Sequence, residues 1–109
     1  MIVFLFASCF WFHSINSVRV SPAVSSVSAG LSLQLAAIVD TTAFANKAVV
    51  WSVTQSTGDK GSSKVTVDQN GLVKIPADYD ISKEAPQVKI RATSVYDSTK
   101  YGEATITVL

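Results

Sequence analysis

The chain has 109 residues, 48% of them hydrophobic and 16% charged, which is enough for one domain with one filled core. Nine basic and eight acidic residues leave a net charge of +1, so there is no basic stripe of the kind nucleic acid requires. The single Cys, Cys9, excludes a disulfide within the domain and leaves the redox compartment open.

Residues 1–12 stand apart in character. Ile2-Val3-Phe4-Leu5-Phe6 and Phe10-Trp11-Phe12 flank Ala7-Ser8-Cys9. A helix needs ~20 residues to cross a bilayer, so this run is too short to span one. It fits the apolar core of an export signal, although no Lys or Arg precedes Arg19 to form a positive leading region. Ala7-Ser8-Cys9 resembles the end of a bacterial lipoprotein signal, which would make Cys9 a lipidation site. Phe6 stands where that signal has an aliphatic residue. The alternatives are a fragment with no role and, for Cys9, a thiol lying in an apolar run. Through residues 1–12 the chain has the means for weak membrane association. Residues 1–16 are read as this segment plus a polar linker from His13, and 17–109 as the domain.

The domain opens on Val18-Arg19-Val20-Ser21-Pro22, with the two Val residues inward. Pro22 has no amide donor and suits an edge strand; Val24 and Val27 continue that edge, and Ala29-Gly30 turns the chain. Residues 31–39 form the longest alternating run. Leu31, Leu33, Leu35, Ala37 and Val39 share a buried face, and Ile38 is an apolar exception on the wet face. Phe44, in the following connection, caps the core. Val49-Val50-Trp51-Ser52-Val53 is the central strand, with Trp51 between two sheets. Residues 54–64, rich in Ser, Thr, Gly, Asp and Lys, form a solvated loop.

Residues 65–75 read as a β-hairpin. Asn70-Gly71 suggests a two-residue turn, but that register sets Val67 opposite Lys74 on one face. A three-residue loop pairs Val67 with Val73 and Val65 with Ile75. It requires a type I turn beginning at Asp68, with positive φ at Gly71 and not at Asn70. Pro76 ends the strand, and residues 77–87 form a long loop. Val88, Ile90 and Ala92 face inward on the next strand, and Ala104, Ile106 and Val108 on the last, with a hairpin loop over 96–101. About seven short strands separated by turn signals describe an immunoglobulin-like β-sandwich.

The order Val18-x-Val20-x-Pro22, Gly30 before the Leu31 run, Val50-Trp51-Ser52-Val53, Val65-Thr66-Val67-Asp68-x-Asn70-Gly71-Leu72-Val73, Ala92-Thr93-Ser94 and Gly102-x-Ala104-Thr105-Ile106-Thr107-Val108 resembles the bacterial Ig-like domain, group 2. That family includes the modules of intimin- and invasin-type adhesins. The resemblance covers residues 17–109 and implies an all-β sandwich without a disulfide, on a bacterial cell surface, in a secreted protein or on a phage virion or tail. The loop over 77–87 is longer and more acidic than the family pattern. The family is usually found in tandem or attached to a larger protein.

No residues for catalysis assemble in the sequence. His13 is the one His and lies in the linker, without a nucleophile and base arranged around it. Cys9 and His13 do not make a zinc set, which takes three or four ligands. Asp78, Asp80 and Glu84 are weak metal candidates, able to approach Ca²⁺ with help from carbonyls; the alternative is that they cap turns. Tyr79, Tyr96 and Tyr101 are the binding candidates, since exposed aromatics stack on sugars or anchor contacts; otherwise they cover the ends of the core. Trp51, Leu33, Leu35, Ile90 and Ile106 are read as core, with Leu33 or Leu35 and Ile90 or Ala92 filling the place a disulfide takes in bridged Ig domains. The sequence thus predicts an all-β, immunoglobulin-like, non-enzymatic structural or adhesion module with no cofactor, acting outside the cytoplasm or on a virion. Its partner would be a protein or a surface glycan. The runner-up is a carbohydrate-binding accessory module of a secreted polysaccharide-active enzyme.

Overall fold

The computed structural model describes residues 14–42, 45–57 and 65–109. Among them are nine strands and no helix: β1 (Ser14–Ser21), β2 (Val24–Val27), β3 (Ser32–Gln34), β4 (Ala36–Thr42), β5 (Val49–Thr57), β6 (Thr66–Val67), β7 (Leu72–Lys74), β8 (Gln87–Ser94) and β9 (Tyr101–Val108). The alternating apolar pattern drives this outcome, since each strand must bury one face against another layer.

One layer is the four-stranded sheet β2-β9-β8-β5. The other is built from β1-β4 and β3-β7-β6. Its two parts share the run from Ser32 to Thr42, which is interrupted at Leu35 alone. At that residue the amide donates to the Gly71 carbonyl at 2.9 Å, so the backbone stays satisfied across the break. Leu35 is buried there and joins a single core with Val73, Val88, Ile90, Ala92, Ala104 and Ile106. The expected inner faces of β8 and β9 are the observed ones.

β1 and β2 belong to different sheets. β1 runs antiparallel to β4, pairing Val18 with Val39 and Val20 with Ala37. The chain then crosses at a cis Ser21–Pro22 bond, and β2 lies parallel to β9. Val24 and Val27 therefore do not continue the β1 edge, as their sequence position suggested. Pro22 ends pairing on one sheet and the chain resumes on the other. Gly102 permits the crossing, because a Cβ there would stand 2.6 Å from the Val18 carbonyl oxygen and 3.0 Å from the Arg19 Cα.

The hairpin has the expected three-residue form. Val67 pairs with Val73, the Gly71 amide donates to the Asp68 carbonyl at 3.1 Å, and Gly71 has φ of 84°.

Three further expectations need correction. Residues 14–16 are part of β1 rather than linker, and Ile15 is buried. Leu31 is 57% exposed, because it sits in the turn before β3, its amide bonded to the Ser28 carbonyl, where side chains no longer alternate over the core. β5 continues to Thr57 past a register shift between Val53 and Gln55, so the solvated loop starts later than residue 54. Phe44, expected to cap the core, lies outside the described residues.

Candidate functional site

The β8–β9 hairpin carries two of the tyrosines that sequence singled out, Tyr96 and Tyr101, together with charged side chains of both strands. On β8 the inward Val88, Ile90 and Ala92 leave Lys89, Arg91 and Thr93 facing out. Antiparallel register sets Arg91 across from Glu103 and Thr93 across from Tyr101. Arg91 donates to Glu103 Oε2 through Nη2 at 2.7 Å and through Nε at 3.0 Å. Its guanidinium carbon stands 3.9 Å from the Tyr101 ring centroid, within cation–π range. One cation thus holds both a carboxylate and an aromatic ring, and Tyr101 is ordered on the surface while 46% exposed.

The loop between the strands is tied down by Asp97. Its Oδ1 accepts from the Thr99 amide at 3.0 Å and the Thr99 hydroxyl at 2.6 Å, and its own amide donates to the buried Ser94 hydroxyl at 3.0 Å. The Thr99 hydroxyl, then the Thr99 amide, hold the Asp97 carboxyl below its ordinary pKa. Tyr96 sits in this loop, 49% exposed. The Val95 amide donates to the Ala48 carbonyl at 2.9 Å, which brings exposed Val95 and Val50 to the same end of the sheet. Val50, Val95, Tyr96 and Tyr101 are therefore exposed at this end of the sheet, an apolar and aromatic rim in which Tyr101 packs on Arg91. That rim can stack on or cover an apolar surface.

Tyr79 is placed otherwise. It is 6% exposed, and its hydroxyl donates to the Ala85 carbonyl, so it closes the loop over 76–87 from inside. Asp80 Oδ1 accepts from the Ser82 amide at 2.9 Å and the Ser82 hydroxyl at 2.6 Å, and the Asp80 carbonyl accepts from the Glu84 amide at 2.8 Å. These are turn-capping bonds. Among the described residues no three His, Cys, Asp or Glu side chains group as a metal site, and Asp78, Asp80 and Glu84 are not brought together as one. Asp68 also caps: its Oδ1 accepts from the Asn70 amide at 2.8 Å and the Leu72 amide at 2.9 Å. The Leu72 amide, then the Asn70 amide, lower its pKa. Cys9 and His13 lie outside the described residues.

Sequence reading missed the Arg91–Glu103–Tyr101 cluster. Its signal was present: outward residues of opposite charge on neighbouring strands, one hairpin apart, come opposite once the loop length is counted.

Comparison with known proteins supplies the lineage. The family model for the bacterial Ig-like domain (group 2) matches residues 14–100. No curated protein matches the chain. Among solved structures, Drosophila N-cadherin EC1-4 superposes with a TM-score of 0.51 at 14% identity, over 86% of this chain and 25% of that one. Drosophila N-cadherin EC1-3 gives 0.50 at 14% identity, over 86% of this chain and 34% of that one. The chain thus spans a quarter to a third of those structures, and at such identity the likeness is one of fold. With residues 14–100 matched by its model and the expected sandwich in place, the chain belongs to the bacterial Ig-like domain (group 2) family.

Proposed function

We propose that this chain is a non-enzymatic structural or adhesion module of a bacterial cell-surface, secreted or phage virion protein. The observation that carries the reading is the parallel pairing of β2 with β9, Val24 with Thr105 through Val27 with Val108. Strands near the two ends of the domain run in the same sense, so the chain comes in at one pole of the sandwich and leaves at the opposite pole. A rigid unit threaded in this way sets the distance between whatever it joins. Membership of the bacterial Ig-like family supports the surface setting, and the fold shared with N-cadherin fragments is compatible with adhesion. Antibody labelling of intact cells against lysed cells, and of purified virions, tests the setting. Signal confined to the soluble fraction of lysed cells overturns it.

The rim of Tyr96 and Tyr101 favours a second reading, a carbohydrate-binding accessory module of a secreted polysaccharide-active enzyme. Both rings are about half exposed, and the Arg91–Glu103 pair beside Tyr101 offers polar partners for sugar hydroxyls. Glycan-array binding that disappears in Tyr96→Ala and Tyr101→Ala, with folding retained, supports this reading. Binding that survives both substitutions removes it.

A further inference from the structure

We infer that the groove left where β1 crosses from one sheet to the other binds an acidic saccharide, with Arg19 taking the carboxylate of a uronic acid unit and Glu103 accepting from a hydroxyl of the same ring. The groove has a volume of about 400 Å³, and its lining includes Arg19, Val20 and Ser21 of β1, Ile38 of β4, and Gly102 and Glu103 of β9. That size lies in the range of ~300–1,000 Å³ in which small ligands are held. The strand order makes the groove. β1 pairs with β4 as far as Ser21, opposite Ala36, while β2 joins β9 only from Val24, opposite Thr105. Beside Gly102 and Glu103, β9 therefore has no strand of its own sheet on that flank. Gly102 lets the β1 backbone come close, since a Cβ would stand 3.0 Å from the Arg19 Cα. This close approach brings Arg19 of one layer and Glu103 of the other onto a single groove.

The chemistry of the lining carries the class of ligand. Ile38, the apolar exception on the wet face of its strand, is 41% exposed, and register sets it opposite Arg19. The pair offers an apolar patch for the C–H face of a sugar ring beside a planar guanidinium. Arg19 forms no ion pair among the described residues, because the carboxylate across the groove, Glu103, is taken by Arg91. Both Arg91 bonds, from Nε and Nη2, end on Glu103 Oε2. The carboxylate is thus held in place with Oε1 open to a further donor, and Arg19 is the uncompensated charge of the groove. A ligand carboxylate meets a guanidinium through a pair of parallel bonds, and a ligand hydroxyl donates to Oε1. A uronic acid unit carries both groups on one ring. A neutral sugar leaves Arg19 without a counter-charge. An acidic peptide side chain brings a second carboxylate toward Glu103 and no hydroxyl for Oε1. The inference deepens the carbohydrate-binding reading and rests on it for the ligand being a saccharide, while the lining of the groove contains neither Tyr96 nor Tyr101.

The test is a titration of the full chain, followed by its amide chemical shifts, with trigalacturonate, with the methyl ester of that trisaccharide as a neutral match, and with tri-glutamate. The acid form is expected to bind about tenfold or more tightly than the ester, which is what a charge-assisted pair supplies, and the shifts are expected to centre on Arg19, Ile38 and Glu103. Arg19→Gln is expected to bring the acid form down to the affinity of the ester. Equal affinity of acid and ester in the native chain overturns the inference, as does an acid preference that survives Arg19→Gln, or no shift with either saccharide. Tri-glutamate bound as tightly as trigalacturonate overturns the saccharide class. If Arg19→Gln does not fold, the comparison of acid with ester on the native chain, with the location of the shifts, still decides. Glycan binding that is lost with the tyrosines and shows no acid preference removes the groove and leaves the carbohydrate reading. Acid binding that is lost in Arg19→Gln and retained in Tyr96→Ala and Tyr101→Ala removes the rim and leaves the groove.

Discussion

Gly71 is a residue that no other side chain can replace at low cost. Its φ of 84° lies in the left-handed region, and a Cβ would stand 2.7 Å from the Leu35 carbonyl oxygen and 2.9 Å from Trp51 Cζ2. Gly71→Ala is expected to cost about 2–4 kcal/mol, summing backbone strain and overpacking, read as a lower denaturant midpoint at unchanged slope. Asp68 starts the same turn, and its effect depends on pH. Because its folded pKa is depressed below 3.8, its stabilisation is present above that value and is lost as pH falls through the lower folded pKa. Asp68→Asn keeps an oxygen acceptor for the Asn70 and Leu72 amides and removes the titration. Its denaturation midpoint should fall less steeply than wild type on acidification below 3.8. Since the carboxylate is fully exposed, solvent screening keeps this difference small. The positive φ was legible in sequence from register parity. Asp68 was legible as the first residue of that turn, but its carboxylate bonds to the Asn70 and Leu72 amides were not.

At the scale of elements, the crossing of β1 to β2 depends on a missing side chain in β9. Gly102→Ala sets a Cβ into the β1 backbone at Val18 and Arg19. A cost of about 1–3 kcal/mol follows from overpacking, and faster amide exchange concentrated in β1 checks it, because β1 is the element that must move. The loop over 76–87 is held by Tyr79. Replacing Tyr79 by Phe leaves the Ala85 carbonyl, on a fully buried residue, without the hydroxyl that bonds it. The expected cost is about 1–2 kcal/mol, with increased proteolytic nicking in that loop as the local readout. Neither element could be read fully from sequence. Pro22 announced a break but not a change of sheet, since parallel pairing with β9 is decided some eighty residues downstream in the chain. Tyr79 sits in a polar loop that resembles a solvated one, and its burial is a consequence of the loop folding back over the core.

At the scale of the whole molecule, Trp51 links the two layers. It belongs to β5, where it pairs with Ala92, and its indole reaches Gly71 on the hairpin of the opposite sheet. The sequence expectation of an inter-sheet Trp packed without a disulfide is met: Leu35, Ile90 and Ala92 are all buried in the same core. Trp51→Ala is expected to cost ~3–5 kcal/mol, a large share of the ~5–15 kcal/mol available to a domain. A wild-type denaturation midpoint in that variant would make Trp51 peripheral. By itself the sequence determined the all-β class, the inward faces of β8 and β9, the hairpin geometry and the hub position of Trp51. Each of these follows from period-two alternation or from turn chemistry within a few residues. Only the tertiary structure decided that β2 leaves the sheet of β1 to run beside β9, that Arg91 holds Glu103 and Tyr101 on one surface, and that Tyr79 is interior while Tyr96 and Tyr101 are half exposed. Those outcomes depend on which distant strands become neighbours, and a local pattern records only that a strand has two faces.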